Sequence, residues 1–338
     1  MASPAVRPVG FDFNTRRKVI PMAAITRPTG GGISPAVQLP KTGLLAGIHL
    51  RITGTIGGTV GAVNALGMAS IIARVRLQAN SGLDIINVSG PGYHYLLRPM
   101  LESEYIDVCG QSNAQDAVTA TAANLDMWLP LCVNMRDPVG LVMLQNEQTI
   151  VNLVVEWAAD TVVTATGTFS NFQVVPYLVV FTVPVNMEDW PRSLNKVTSI
   201  LEDSQSVAAA GDQTYVWQRG NVYLQVVHGL GLSAASPADG FSRVKLRVNQ
   251  SDYLVDVGTD FLDMEYRVLR GRAREAGTIP LDFLGTSGLG CFGLARDMFN
   301  SALVTDLSTV ITATGAGTLY TVRRQLITLR GVRPGYLA

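Results

Sequence analysis

The first strongly patterned stretch, Ala73-Arg74-Val75-Arg76-Leu77-Gln78-Ala79-Asn80, places apolar side chains at every second position and mostly basic ones between them. Successive side chains of a strand point to opposite faces, so a period of two predicts a half-buried β-strand. A second stretch, Ser242-Arg243-Val244-Lys245-Leu246-Arg247-Val248-Asn249, repeats the alternation, the basic interleaving and the terminal asparagine. The first runs on to Tyr95-Leu96-Leu97-Arg98 and the second to Tyr266-Arg267-Val268-Leu269-Arg270. Runs rich in Val, Ile, Phe and Tyr predict further strands over residues 44–56, 83–88, 125–133, 140–144, 149–157 and 172–183. Residues 222–232, 253–257, 279–283 and 320–329 do the same in the second half. Residues 93–105 read as a short helix or an irregular connection, and 111–124 as a long loop of Ala, Asn and Thr. Residues 198–211 are small and polar, with room for one or two helical turns. Neither half shows a sustained helical period.

A second echo joins residues 161–167 to 309–315, which agree at six of seven positions. The echoes come in the same order in each half, offset by 169 and 148 residues; the loop at 111–124 and its surroundings account for the 21-residue difference. Two collinear matches predict a duplicated domain. The fold class expected is mainly β: two tandem eight-stranded jelly-roll sandwiches behind an extended N-terminal arm. The boundaries expected are 1–40 for a basic arm, 41–187 for the first sandwich, and 188–338 for the second with a basic C-terminal tail. Six prolines and Gly30-Gly31-Gly32 make the arm extended, and Ile20, Met22, Ile25 and Ile33 give it apolar grip on a neighbouring surface.

Composition sharpens this. Apolar residues are 47% of the chain and charged ones 15%, against about a quarter charged in ordinary domains. That is enough for two cores and leaves surface for other subunits to cover. The net charge is zero, yet both ends are basic. Residues 1–40 hold Arg7, Arg16, Arg17, Lys18 and Arg27 against Asp12 alone; the last sixteen residues hold Arg323, Arg324, Arg330 and Arg333 with no acid. Basic ends on an acidic body suggest that both face something anionic. The candidate contacts are Arg7, Arg16, Arg17, Lys18, Arg27, Arg330 and Arg333. Cys109, Cys132 and Cys291 are far apart, which fits buried free thiols in a reducing compartment and not a disulfide or zinc framework. The start of the chain lacks the apolar core of a secretory signal. The longest apolar run, 174–185, is interrupted by Pro176 and Pro184 and is too short to span a bilayer.

A search for chemistry finds no constellation. His49, His94 and His228 never form an H-x-H pair, which argues against a two-cupin metal enzyme. Gly285-Thr286-Ser287-Gly288-Leu289-Gly290 lacks the lysine of a phosphate-binding loop. Glu102 with Glu104, and Glu202 with Asp203, read as solvated carboxylates. The stripes Arg74/Arg76 and Arg243/Lys245 lack the interleaved aromatics of a nucleic-acid platform and read as positions for ion pairing between subunits or between sheets. Trp128, Trp157, Trp190 and Trp217 read as core or interface anchors. No catalytic, metal or cofactor residue is assigned, and no enzyme activity is expected.

A basic arm, then Leu39-Pro40-Lys41-Thr42-Gly43-Leu44-Leu45, then two tandem sandwiches resembles the double jelly-roll major capsid proteins of tailless, icosahedral, often membrane-containing viruses. The repeat carries the likeness over residues 41–330, since the family has no short signature. The resemblance implies a homotrimer whose six sandwiches form a pseudo-hexagonal tile, and a virion shell of many trimers assembled in the host cytoplasm. Minor capsid or vertex proteins would be partners, and the basic termini would meet an internal lipid membrane or the packaged genome. The preference for arginine over lysine suggests a GC-rich genome and hence a bacteriophage. The alternatives are another virion protein (spike, vertex or tail β-sandwich) or a tandem carbohydrate-binding module.

Overall fold

The computed structural model describes residues 11, 14–57, 66–80, 82–101, 122–133, 138–163, 167–191, 194–230, 239–249, 252–270, 274–284 and 299–328. The first half contains β1 (Arg17–Pro21), β2 (Ile25–Thr26), β3 (Gly32–Ile33), β4 (Val37–Gln38) and β5 (Leu44–Gly57). It continues with β6 (Ile72–Ala79), β7 (Leu83–Val88), β8 (Ala122–Pro130), β9 (Val142–Met143), β10 (Val151–Trp157) and β11 (Thr168–Phe181). The second half contains β12 (Lys196–Val207), β13 (Gly211–Val216), β14 (Val222–Leu230), β15 (Phe241–Val248) and β16 (Asp252–Gly258). It ends with β17 (Thr278–Asp282), β18 (Phe299–Asn300), β19 (Leu307–Ala313) and β20 (Gly317–Thr328). A π-helical segment, Gly92–Leu97, runs into α1 (Arg98–Leu101). Also described are the α-helices α2 (Asp160–Val163) and α3 (Thr259–Arg270), with short 3-10 turns at Gly67–Ile71, Met187–Asp189 and Ser301–Leu303.

The two halves share one topology. Strand order β1-β11-β5-β8 in the first recurs as β12-β20-β14-β17 in the second. The facing sheet, with β3 and β4 on β10, then β6, then β7, recurs as β13-β19-β15-β16. Each half is thus an eight-stranded jelly roll. Even the irregularities are duplicated. The pairing of β5 with β11 skips Ala46, and that of β14 with β20 skips Leu224. The pairing of β6 with β7 skips Ile85, and that of β15 with β16 skips Leu254. A bulge changes which residues oppose one another and is a specific feature of a strand pair. Two bulges at matching places therefore fix a residue-by-residue correspondence between the halves.

The cores follow from alternation. In β10 the residues Val151, Leu153, Val155 and Trp157 are buried and the ones between are half-buried. They join Ile48, Leu50, Val75 and Leu77 between the sheets of the first sandwich. Val226, Val244, Leu246 and Ile311 fill the second. A parallel pairing of Ile200 with Ile86 and Leu201 with Asn87, between β12 and β7, makes one continuous sheet across both halves.

Four readings of the sequence change. The expected arm is not free where it is described: β1 pairs with β11 over Arg17–Pro21, β2 also pairs with β11, and β3 and β4 pair with β10. Pro21 ends β1, and Pro28, Pro35 and Pro40 fall between strands, where no ladder hydrogen bond is lost. The polar stretch at 198–211 is mostly strand β12, because β20 on one side and β7 on the other satisfy its backbone. The second echo is not an equivalence. Residues 160–163 are α2, whereas Thr309 lies in β19 opposite Leu246, the place that Leu153 holds opposite Leu77 in the first half. Finally, the tails of the first echo are both helical, and α3 is a twelve-residue helix. It begins just after β16, as the helical segment begins just after β7.

Candidate functional surfaces

The contact between the sandwiches is built from β12, β14 and β20 of the second half and from β7 and the helical segment of the first. Ile200, Val227 and Val322 of the second half belong to the same apolar cluster as Leu96, Leu97 and Met100 of the first. Glu202 of β12 accepts hydrogen bonds from the Ser89 amide at 2.5 Å and the Ser89 hydroxyl at 2.9 Å. Gly92 leaves room for this arrangement, since a Cβ there would displace the Glu202 carboxylate. Glu202, expected to be solvated, is therefore a buried latch between the halves.

Arg324 makes the neighbouring link. Its guanidinium donates to the Cys132 carbonyl at 3.1 Å and to Gln225 Oε1 at 3.3 Å. Burial lowers its pKa to about 10, which leaves it charged at neutral pH. A 220 Å³ cavity lies beside it among Met100, Leu101, Trp128, Cys132 and Gln225. Arg323, one position along, points into the second sandwich, where it meets Asp203 Oδ2 at 2.7 Å and the Tyr215 hydroxyl at 2.8 Å. Two of the four arginines that make the C-terminal stretch basic thus serve the body of the protein. Arg330 and Arg333 lie outside the described residues.

The candidate N-terminal contacts divide similarly. Arg16, Arg17 and Lys18 are exposed along β1, the edge strand of its sheet. Arg27 is buried: it donates to the Ala158 carbonyl at 2.7 Å, pairs with Asp160 Oδ1 at 2.5 Å and lies over the Phe169 ring. It fixes the start of α2 and is not available to a partner. Arg7 lies outside the described residues. Phe11 packs edge-on against Phe181 in a cluster that Leu194 also touches, and Lys196, two residues on, opposes Thr328. The two described ends of the chain therefore leave the body at the same pole.

The basic stripes, expected to pair between subunits or between sheets, are instead consumed within their own sheets, where neighbouring strands bring an acid or amide alongside each cation. Arg74 donates to Asn87 Oδ1 at 2.8 Å and Arg76 pairs with Glu156 at 3.0 Å. Arg243 pairs with Asp256 at 2.6 Å, Arg247 with Asp306 at 3.6 Å and Lys245 with Asp212 at 3.9 Å. Such half-exposed pairs contribute about 0–1 kcal/mol each. Their effect is to neutralise the stripe.

The histidines are dispersed. His49 stacks on Trp128 at 4.1 Å, and burial together with Arg17 lowers its pKa. His94 and His228 are buried in different halves, each with its pKa lowered to about 3 by desolvation. Among the described residues no group of three or more His, Cys, Asp or Glu could hold a metal ion, and no helix is long and apolar enough to cross a membrane. Trp157 donates to Ser34 Oγ at 2.8 Å, Trp217 to Thr309 Oγ1 at 2.7 Å and Trp190 to the Pro184 carbonyl at 2.9 Å, so these three are anchors. Cys109, Cys291, Glu102, Glu104 and the glycine-rich loop at 285–290 lie outside the described residues.

No family model and no curated protein matches the sequence. The fold is that of double jelly-roll capsid proteins. The STIV MCP superposes with a TM-score of 0.69 at 11% identity, covering 94% of this chain and 99% of that one. The Faustovirus major capsid protein gives 0.58 at 10% identity, over 93% and 90%. The major capsid protein P2 from Bacteriophage PM2 gives 0.56 at 11% identity, over 94% and 100%. Agreement over nearly the full length of both partners, at negligible identity, is agreement of fold.

Proposed function

We propose that this chain is the major capsid protein of an icosahedral virus, associating as three copies into pseudo-hexagonal tiles that build the shell. The observation that carries the reading is the joining of two equivalent jelly rolls through one continuous sheet, a fold shared end to end with major capsid proteins. One chain then supplies two of six similar sectors. The described residues offer no competing chemical centre, since histidines, carboxylates and basic stripes are dispersed or internally paired.

Self-association is the partner interaction this reading requires. Arg7, Arg330 and Arg333 belong to segments that follow from one pole of the body, and the proposal assigns them to an anionic inner partner, lipid or genome. Minor capsid proteins and assembly in the host cytoplasm belong to the same proposal. Purified protein should have the mass of three chains by light scattering, and electron microscopy of lysates expressing it should show hexagonal tiles or closed shells. A protein that stays monomeric at tens of micromolar would overturn the reading.

A further inference from the structure

The duplicated bulges allow each buried contact between the halves to be traced to its counterpart elsewhere on the chain. Ile200 opposes Arg324, while Val19 opposes Val179, and the two pairs occupy the same place relative to the bulges at Leu224 and Ala46. Val19 is therefore the counterpart of Ile200. Ile86 opposes Leu77, and Val255 opposes Leu246, so Val255 is the counterpart of Ile86. Within the chain Ile200 pairs with Ile86 and is 0% exposed, whereas Val19 is 54% exposed. β1 and β16 each have one unpaired edge among the described residues.

The faces beside these edges show the same asymmetry. Val227 and Val322 of the second half are buried against the first, while their counterparts His49 and Tyr177 are exposed and half-buried. The helical segment after β7 is covered by β14 and β20. The helix after β16, α3, presents Phe261, Met264 and Val268 to solvent at a spacing that forms one stripe, with Val268 63% exposed. A soluble chain rarely leaves an apolar stripe and two strand edges open without a partner.

We propose that a second copy of this chain covers them. The β16–α3 edge of one copy receives the β1 edge of the next, in the parallel register that β7 and β12 use within one chain. Val19 then faces Val255 and Ile20 faces Asp256, while Phe261, Met264 and Val268 lie over Val19, His49 and Tyr177. Pro21 ends β1 and limits the added ladder to a short one, like the two-residue pairing inside the chain. Charge is complementary. Arg16 precedes β1 and Arg17 and Lys18 open it, while Asp260 and Glu265 are exposed on α3, where Arg267 is the basic residue among the described side chains. The contact joins different surfaces, so it propagates head to tail, and under the three-copy reading it closes into a ring. This rests on the self-assembly reading and specifies its seam. It also moves Arg16, Arg17 and Lys18 from an inner face to an interface between subunits.

The test is a cysteine pair. Strand neighbours about 4.8 Å apart lie within disulfide reach. Under oxidation the double variant Val19→Cys/Val255→Cys should give a denaturing-gel ladder of two and three linked chains. The parent chain and both single variants should give none. In parallel, Met264→Glu and Val268→Glu, surface changes that leave both cores intact, should each raise the dissociation constant of the assembly by about a hundredfold. Ladder formation with weakened assembly supports the seam. Wild-type trimers that give no ladder and tolerate both glutamates overturn the seam and leave the capsid reading standing. A wild-type chain that never associates overturns the capsid reading itself.

Discussion

Asn80 and Asn249 occupy the same place in the two halves, each in the left-handed region at φ 51° just beyond a strand that ends in a tight turn. Asn80 Oδ1 accepts from the Ile150 amide at 2.9 Å, and Asn249 Oδ1 from the Thr305 amide at 2.8 Å and the Thr305 hydroxyl at 3.0 Å. Asparagine suits both needs: it tolerates left-handed backbone better than most residues and carries an acceptor short enough to reach the adjacent loop. Alanine at either site loses the acceptor and takes on the backbone strain. Asn80→Ala and Asn249→Ala should each destabilise by about 1–3 kcal/mol, measured by denaturant unfolding. Glycine, which relieves the strain but lacks the acceptor, should cost less.

The Glu202 latch should be sensitive to truncation and tolerant of an isostere. Glu202→Ala strands the Ser89 amide and hydroxyl in a buried contact and should cost about 2–3 kcal/mol. Glu202→Gln keeps one acceptor and should cost less. Calorimetry checks both, and equal losses would show that the hydrogen bonds contribute nothing specific.

Stability should fall as the medium is acidified below neutrality. His94 and His228 have folded pKa values near 3, against about 6.5 when unfolded, so between these values the unfolded chain binds more protons. Their contribution is complete above about pH 6.5 and shrinks as pH falls towards 3, by at most about 1.4 kcal/mol per pH unit for each. His228 Nδ1 meets Thr321 Oγ1 at 2.8 Å, while Nε2 has no partner among the described residues. His228→Gln should flatten the pH dependence of the melting temperature between pH 6.5 and 4; an unchanged slope would remove His228 as a source.

Truncation should separate the tail from the sheet. Deleting residues 1–10 leaves every described strand in place and should preserve the melting temperature. Deleting residues 1–24 removes β1, exposes the β11 edge and takes away Phe11 from the cluster with Phe181. That variant should melt at least several degrees lower and lose self-association, which thermal unfolding and light scattering read directly.

The regular strands were legible because their signal is local. Val75 and Leu77 are buried and Arg74 and Arg76 are not, as the period of two requires. The duplication was legible at 73–80 and 242–249 because equal structural demands left equal residues there, down to the terminal asparagines. The match of 161–167 with 309–315 misled because Thr, Val and Ala suit a strand or a short turn of helix. Arg27 and Asp160, 133 residues apart, hold the helical outcome in place.

The candidate surface was less legible. Nothing in Thr198-Ser199-Ile200-Leu201-Glu202 announces a central strand, because its backbone partners lie in β7 and β20, both more than a hundred residues away. Arg323-Arg324 in the middle of a strand-forming run was the available clue to buried cations, and its cost is offset by Asp203, Tyr215, Gln225 and the Cys132 carbonyl, none of them close in sequence.

Local pattern in the sequence sufficed for a mainly β chain built twice over, with apolar material for two cores. Alternation and turn chemistry act within a few residues, and composition carries no geometry. Tertiary structure alone decided which edges are closed and which stay open: β12 finds β7 within the chain, while β1 and β16 find no such neighbour among the described residues. Strand pairing is satisfied by whatever backbone lies about 4.8 Å away, and that distance is set by the fold.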